Sequence, residues 1–170
     1  MKAANIRLAK TAGFCFGVNK AVNMVRDLLD EGRQVCTLGP IIHNPQVVEE
    51  LAARGVRIVE VPEEVPAGCV LVIRSHGVAQ EIYDKARELG LDLCDATCPF
   101  VAKIHRIVAE KSANGYTVLI AGDEGHPEVV GIRGYCHTAS YAFSTLEELK
   151  KETGVSALDV AKSMLDAGIH

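Results

Sequence analysis

The sequence predicts an α/β protein in which short parallel sheets are flanked by helices. Short apolar runs alternate with amphipathic segments of about 10–15 residues, a pattern typical of βαβ units. The apolar runs are nearly continuous, as expected for strands that helices cover on both faces. Because 48% of the 170 residues are hydrophobic, the chain can form a packed core, and this excludes a disordered protein.

The first half of the chain predicts a leading strand at 5–8 and then alternating helices and strands. Apolar residues at helical spacing over 18–29 predict a helix that stops near Gly32. A helix at 45–54 begins with a proline and has Gly55 just past its end. The other predicted elements are strands at 35–38, 56–61, 70–73 and 91–94 and a helix at 80–89.

The second half repeats this pattern less completely. Thr145 and Glu148 are spaced as a capping box for a helix that begins at Leu146, and Ser156 is placed to cap a tail helix. A further helix and two strands are predicted at 101–113, 117–121 and 141–143. We therefore divide the chain into a leading strand (1–12), a first lobe (13–97), a second, incomplete lobe (98–152) and a divergent tail helix (153–170).

Composition and charge exclude several classes of binding partner. The net charge is −4 and no long basic run occurs, which argues against nucleic acid and anionic membranes. No stretch approaches the roughly 18 apolar residues that a membrane span needs, and the first residues lack an apolar signal segment. We therefore expect a cytoplasmic protein, in which six cysteines are metal ligands, catalytic thiols or small core residues rather than disulfides.

Polar residues of reactive type concentrate in five segments, each just after a predicted strand. Because ligands bind outside the carboxyl ends of parallel strands, these segments are expected to face one cavity. They are GFCFG at 13–17, GPIIHNP at 39–45, RSHGV at 74–78, DATCPF at 95–100 and GDEGHPE at 122–128.

Three histidines in these segments, His43, His76 and His126, indicate either a metal site or an anion pocket. Cysteine and histidine together are also zinc ligands, but the spacings match no compact zinc motif. A phosphate or diphosphate pocket fits better, because imidazoles and loop amides donate hydrogen bonds to oxygen. A hydrolase built on one cysteine–histidine pair would leave the five aligned loops unexplained.

Glu128 is a candidate general acid, with a first-turn helix acid as the alternative. Cys98 precedes a proline that opens a helix, where a thiolate is stabilised, and Cys15 lies in a loop bracketed by glycines. For both, a buried structural thiol is the alternative. The remaining cysteines are assigned to packing: Cys36, Cys69, Cys94 and Cys136.

Taken together, the segments resemble the 4-hydroxy-3-methylbut-2-enyl diphosphate reductases, iron–sulfur enzymes of the non-mevalonate isoprenoid pathway. GFCFGV, GPIIHNP, SHGV, DATCPFV-x-K-x-H and GHPEV occur in the family's order and at about its spacings, over roughly residues 6–150. Each motif alone is weak, but the five in order are highly specific.

The resemblance implies a role for each matching residue. Cys15 and Cys98 match two of the three cysteines that hold a [4Fe–4S] cluster in the family. The three histidines match those that bind the allylic diphosphate substrate, and Glu128 matches the acid that delivers protons. The family removes the substrate's hydroxyl group with two electrons from ferredoxin or flavodoxin and forms isopentenyl and dimethylallyl diphosphate.

The chain also departs from the family. Family members are about twice as long and have three lobes, and the third cysteine lies in the lobe that is absent here. The leading strand would pack in that lobe, and the tail does not resemble the family's continuation. We therefore expect a truncated reductase or, as the alternative, an inactive diphosphate-binding fragment without a competent cluster.

Overall fold

A computed structural model describes residue 7 and residues 9–166, without the side chains of 163–165. The helices are α1 (Phe16–Asp30), α2 (Pro45–Ala53), α3 (Gln80–Glu88), α4 (Pro99–Ala113), α5 (Pro127–Arg133), α6 (Leu146–Thr153) and α7 (Ala157–Asp166). The strands are β1 (Gln34–Leu38), β2 (Arg57–Val59), β3 (Cys69–Ile73), β4 (Asp92–Asp95), β5 (Val118–Ala121) and β6 (Ser140–Phe143), and a 3₁₀ turn covers Pro62–Glu64. The leading strand predicted at 5–8 lies outside the described residues, except for residue 7.

Two parallel sheets form the framework, which confirms the predicted fold class. One sheet has the strand order β2-β1-β3-β4, and the other pairs β5 with β6. In the larger sheet Leu38 lies beside Val59 and Ile73, and Ile73 lies beside Asp95. The carboxyl ends of these strands therefore meet at one edge, as the sequence predicts.

Helices cover both faces of the larger sheet. On one face, Val35, Val70 and Val72 pack against apolar side chains of α1 and α2. On the other face, Leu71 and Ile73 pack against α3. Neighbouring strand residues point to opposite faces, so a strand buried on both faces is apolar throughout.

The smaller sheet is flanked by α5 and α6. Thr145 and Glu148 form the predicted capping box, and the buried Leu149 packs α6 toward β6. The sequence indicates α5 only through the alternative of Glu128 as a first-turn helix acid, because seven residues are too few for a helical apolar period to be visible. The predicted lobe boundaries stay a prediction. No helix among the described residues is long and apolar enough to cross a membrane.

Candidate anion and thiol site at the strand ends

Loops after three strands bring three histidine side chains together. His43 follows β1, His76 follows β3 and His126 follows β5. The ring centroids of His43 and His76 are 4.4 Å apart, those of His43 and His126 5.9 Å, and those of His76 and His126 6.2 Å. We call these residues the histidine trio. It is built from loops of both sheets, which sequence spacing alone cannot show.

The backbone of Ser75 joins three of the five loops. Its N–H donates to the carbonyl of Ile41 at 3.2 Å, and its carbonyl accepts from the N–H of Cys98 at 2.9 Å. Ser75 is buried, as is Ile41. The loops that carry His43, His76 and Cys98 are therefore held in fixed relative positions.

His76 is the most constrained member of the trio. Its Nδ1 is buried and has no hydrogen-bond partner among the described residues. Burial is the main cause that lowers the pKa of His76 to about 4, and the neighbouring positive charges of His43, Arg74 and His126 lower it further. The imidazole is thus neutral near pH 7 and has a free nitrogen next to other cationic groups, a setting that favours an incoming anion.

His126 and Glu128 are linked at the start of α5. His126 is the N-cap residue, and its Nδ1 accepts a hydrogen bond of 3.2 Å from the backbone N–H of Glu128. In a neutral imidazole one nitrogen accepts and the other carries the proton. The Nε2 of His126 is therefore the protonated nitrogen and is able to donate to an anion. Glu128 is half-buried in the first helical turn, two residues from the trio.

Cys15 and Cys98 are the N-cap residues of α1 and α4. A Cβ atom added to Gly17 would lie 2.5 Å from the Sγ of Cys98, so this sulfur packs directly on the first turn of the helix that Cys15 caps. Cys15 is exposed, Cys98 is half-buried, and both are free thiols. The structure thus brings the two thiols to neighbouring helix starts, and Cys98 is joined through Ser75 to the histidine trio.

Arg74 is a functional candidate that the sequence reasoning did not single out. A Cβ atom on Gly39 would lie 2.5 Å from Nη1 of Arg74, so the guanidinium lies on the backbone that leads from β1 to His43. Burial lowers the pKa of Arg74, and its Nε is buried without a partner among the described residues. The sequence feature that could have identified Arg74 is its position directly after an apolar strand. In parallel sheets, ligands bind at the edge where the carboxyl ends of the strands meet, and Arg74 lies there.

The other four cysteines are remote from this edge or packed into the core. Cys36 and Cys69 are buried, and Cys94 packs against the core below α1. Cys136 is half-buried beyond the end of α5 and donates to the carbonyl of Ile132. Within residue 7 and residues 9–166, no group of three or more histidine, cysteine or acidic side chains is arranged to hold a metal ion.

The fold and this edge define a class: an α/β protein whose strand-end loops gather three imidazoles and carry two free thiols. The sequence matches the LytB protein family over residues 6–164. It is 42% identical over 147 residues to 4-hydroxy-3-methylbut-2-enyl diphosphate reductase of Thermoanaerobacter sp. (strain X514), covering 84% of this chain and 51% of the relative. It is 44% identical over 163 residues to the enzyme of that name from Geobacter sp. (strain M21), covering 96% and 58%.

Solved structures agree with the sequence comparison. The structure of E-1-hydroxy-2-methyl-but-2-enyl-4-diphosphate reductase from Plasmodium falciparum matches with a TM-score of 0.79 at 29% identity, covering 84% of this chain and 45% of that chain. A second structure, of (E)-4-hydroxy-3-methyl-but-2-enyl diphosphate reductase, matches with a TM-score of 0.73 at 42% identity, covering 86% and 53%. The chain belongs to the LytB family.

The relatives are longer than this chain. The chain spans about half the length of the curated relatives that it matches. The family match extends to residue 164, and the divergent tail helix at 153–170 stays a prediction.

The low pKa of His76 predicts a specific pH dependence of stability. Its folded value of about 4 lies below the ordinary 6.5, so the unfolded chain binds more protons between these values and stability falls as the pH is lowered through this window. Between pH 7 and pH 5 the wild type should lose about 1 kcal/mol more than His76→Gln, after allowance for solvent screening. Urea unfolding at both pH values measures the difference.

The control for this comparison is His137→Gln, which changes an exposed histidine outside the trio. That variant should keep the wild-type pH dependence. Equal losses of stability in the wild type and in His76→Gln would show that His76 is not held neutral by its surroundings.

Proposed function

We propose that the chain contributes to the reductive removal of the hydroxyl group of 4-hydroxy-3-methylbut-2-enyl diphosphate, which forms isopentenyl and dimethylallyl diphosphate. The observation that carries this proposal is the histidine trio, with ring centroids 4.4 to 6.2 Å apart at a strand-end edge. The names of the relatives support the same substrate. The reaction consumes two electrons and two protons and releases one water for each hydroxyl group removed.

The histidine trio binds the diphosphate in this proposal. His126 donates from Nε2, while His43 is exposed and free to reorient toward an oxygen. His76 is neutral without ligand, and a bound anion raises its pKa and favours the imidazolium. Arg74 adds a fixed positive charge behind His76. Binding and proton uptake are thereby coupled.

Two thiols at neighbouring helix starts fit a metal group as part of its ligand set. Cys15 and Cys98 would hold a [4Fe–4S] cluster, which when bound supplies electrons beside the anchored substrate. Such clusters are commonly held by cysteine thiolates, and the contact of the Cys98 sulfur with the first turn of the helix that begins after Cys15 supports this assignment. Any further protein thiolate comes from outside this edge. The external electron source would be a one-electron carrier, ferredoxin or flavodoxin.

Glu128 supplies protons in this scheme. It stands two residues from His126 in the first turn of α5, and in this proposal its carboxyl group reaches a substrate that the trio anchors. A proton from this carboxyl group lets the hydroxyl group leave as water or completes the product at carbon.

A cytoplasmic location belongs to the same proposal. It is supported by the six free thiols, since reducing compartments keep cysteines in that form.

A second candidate function is diphosphate binding without catalysis. It is favoured by the finding that the described residues contain no group of three ligands arranged for a metal ion. In this case the trio would retain its ligand, whereas Cys15 and Cys98 would hold no cluster. Ligand binding and iron binding must therefore be measured separately.

Inorganic pyrophosphate should bind to the chain with uptake of protons, because the bound anion favours charged imidazoles. Isothermal titration calorimetry at one pH in two buffers of different ionisation enthalpy measures this uptake. His126→Gln should weaken binding about tenfold through loss of a charge-assisted donor, and His137→Gln should leave it unchanged. Binding without proton uptake, or equal binding by His126→Gln, would contradict the role of the trio.

Iron and sulfide added under anaerobic conditions should produce broad visible absorption and bound iron. Cys98→Ser and Cys15→Ser should each lower the bound iron severalfold, because a hydroxyl group is a poor substitute for a thiolate. Cys136→Ser removes a thiol outside the site and is the matched control. Absence of iron in the wild type, with pyrophosphate binding intact, would support the second candidate function instead.

Glu128→Gln should retain iron and pyrophosphate binding but lower substrate turnover by about 10²–10⁴-fold, the usual contribution of a positioned general acid. Turnover of the reconstituted protein is measured with a chemical reductant and separation of the two products. A Glu128→Gln variant with the turnover of the wild type would remove Glu128 from the proton-delivery role.

A further inference from the structure

Helix α5 approaches the segment after His76 unusually closely, at positions where it carries no side chain. A Cβ atom added to Gly134, the C-cap residue of α5, would lie 2.2 Å from Cβ and 2.7 Å from Cα of Ala79. A Cβ atom on Gly131 would lie 3.7 Å from the carbonyl oxygen of His76 and 3.8 Å from the carbonyl carbon of Gly77. At Gly134 the helix and the segment 76–79 are therefore in direct contact through the backbone and the methyl group of Ala79, with no room for a further side chain.

His105 packs against the same segment from α4. It is only 3% exposed, its ring stacks on Tyr135 at 4.3 Å, and its Nε2 is buried without a partner among the described residues. A Cβ atom on Gly77 would lie 2.6 Å from its Cε1, and Gly77 has a φ of +69° that favours glycine. A Cβ atom on Gly131 would lie 3.6 Å from its Nε2, which is an ordinary van der Waals contact. The imidazole thus contacts both sides of the junction.

The two sides of this junction carry different members of the site. Segment 76–79 begins with His76, whereas α5 begins next to His126 and Glu128. Because α5 has only seven residues, a displacement at its C-terminal end is passed to its N-terminal end nearly as a rigid body. The contact at Gly131 and Gly134 consequently fixes how far His126 stands from His76.

We propose that Gly131, Gly134 and His105 form a spacer that sets the separation of His76 and His126, and that His105 is a positioning residue for diphosphate binding. This inference rests on the proposed function, because the trio must converge on one ligand. His105 is not a ligand group itself. Its ring fills the space behind Gly77 and keeps segment 76–79 against α5.

Gly134→Ala tests the spacer directly. Gly134 has a φ of −65°, which alanine adopts without strain, so the substitution acts through its contact with Ala79. The added methyl group should displace α5, raise the dissociation constant for inorganic pyrophosphate about tenfold, and move the pKa of His76 from about 4 toward its ordinary value. Val130→Ala, at a half-exposed position of the same helix, should change neither quantity.

Two further variants make the test specific. Ala79→Gly removes the atom nearest to the new methyl group, so the double variant Gly134→Ala/Ala79→Gly should recover part of the pyrophosphate affinity. His105→Asn shortens the side chain behind Gly77 without a collision, and it should also raise the pKa of His76 and weaken binding. This variant keeps the inference testable if Gly134→Ala does not fold.

Imidazole proton resonances followed by NMR over a pH titration report the pKa of His76 without any ligand. Failure of the wild type to bind pyrophosphate would defeat the proposed function, while a raised pKa in the variants would still support the spacer. A pKa of His76 that stays at the wild-type value in Gly134→Ala and His105→Asn would overturn the spacer.

Discussion

The site depends on a single backbone position, Ser75. Through its N–H and its carbonyl it joins the loop of Ile41 to the start of α4 at Cys98. Parallel strands bring loop starts to one edge, but they do not fix loop ends, which carry the reactive side chains. The two hydrogen bonds at Ser75 fix the positions of these loops relative to one another. The relative positions of His43, His76 and Cys98 are therefore properties of the backbone.

This backbone order has an electrostatic consequence. It holds three imidazoles and the guanidinium of Arg74 close together, with His76 half-buried among them. Burial, and to a lesser extent the neighbouring positive charges, lowers the pKa of His76 to about 4 and keeps its imidazole neutral near pH 7. In the proposed function, a dianionic or trianionic ligand favours the charged form of His76. The proposed function therefore couples ligand binding to protonation at this edge.

Much of this arrangement is readable from the sequence, for physical reasons. Apolar runs and capping residues predict the described strands and most described helices to within about two residues of their observed ends. The parallel topology then predicts that His43, His76 and Cys98 share an edge. The sequence predicts no full helix at α5, because seven residues are too few to show an apolar period.

The features that the sequence does not predict depend on contacts between residues far apart in the chain. In the sequence, His105 is only one position on the buried face of an amphipathic helix, which also includes Val101, Val108 and Ser112. Its contact with Gly77 joins residues 28 positions apart, and that with Gly131 joins residues 26 apart. The approach of Gly134 to Ala79 likewise requires the relative placement of both sheets. No local pattern encodes those distances.

The pKa of His76, measured by NMR with and without saturating inorganic pyrophosphate, tests the central claim most directly. Coupling between the neutral His76 and an anion held by the trio predicts a value near 4 in the free chain and a rise of about 2 units or more when pyrophosphate is bound. A pKa of His76 that is the same in both states, at pyrophosphate concentrations that saturate the calorimetric signal, would contradict the account.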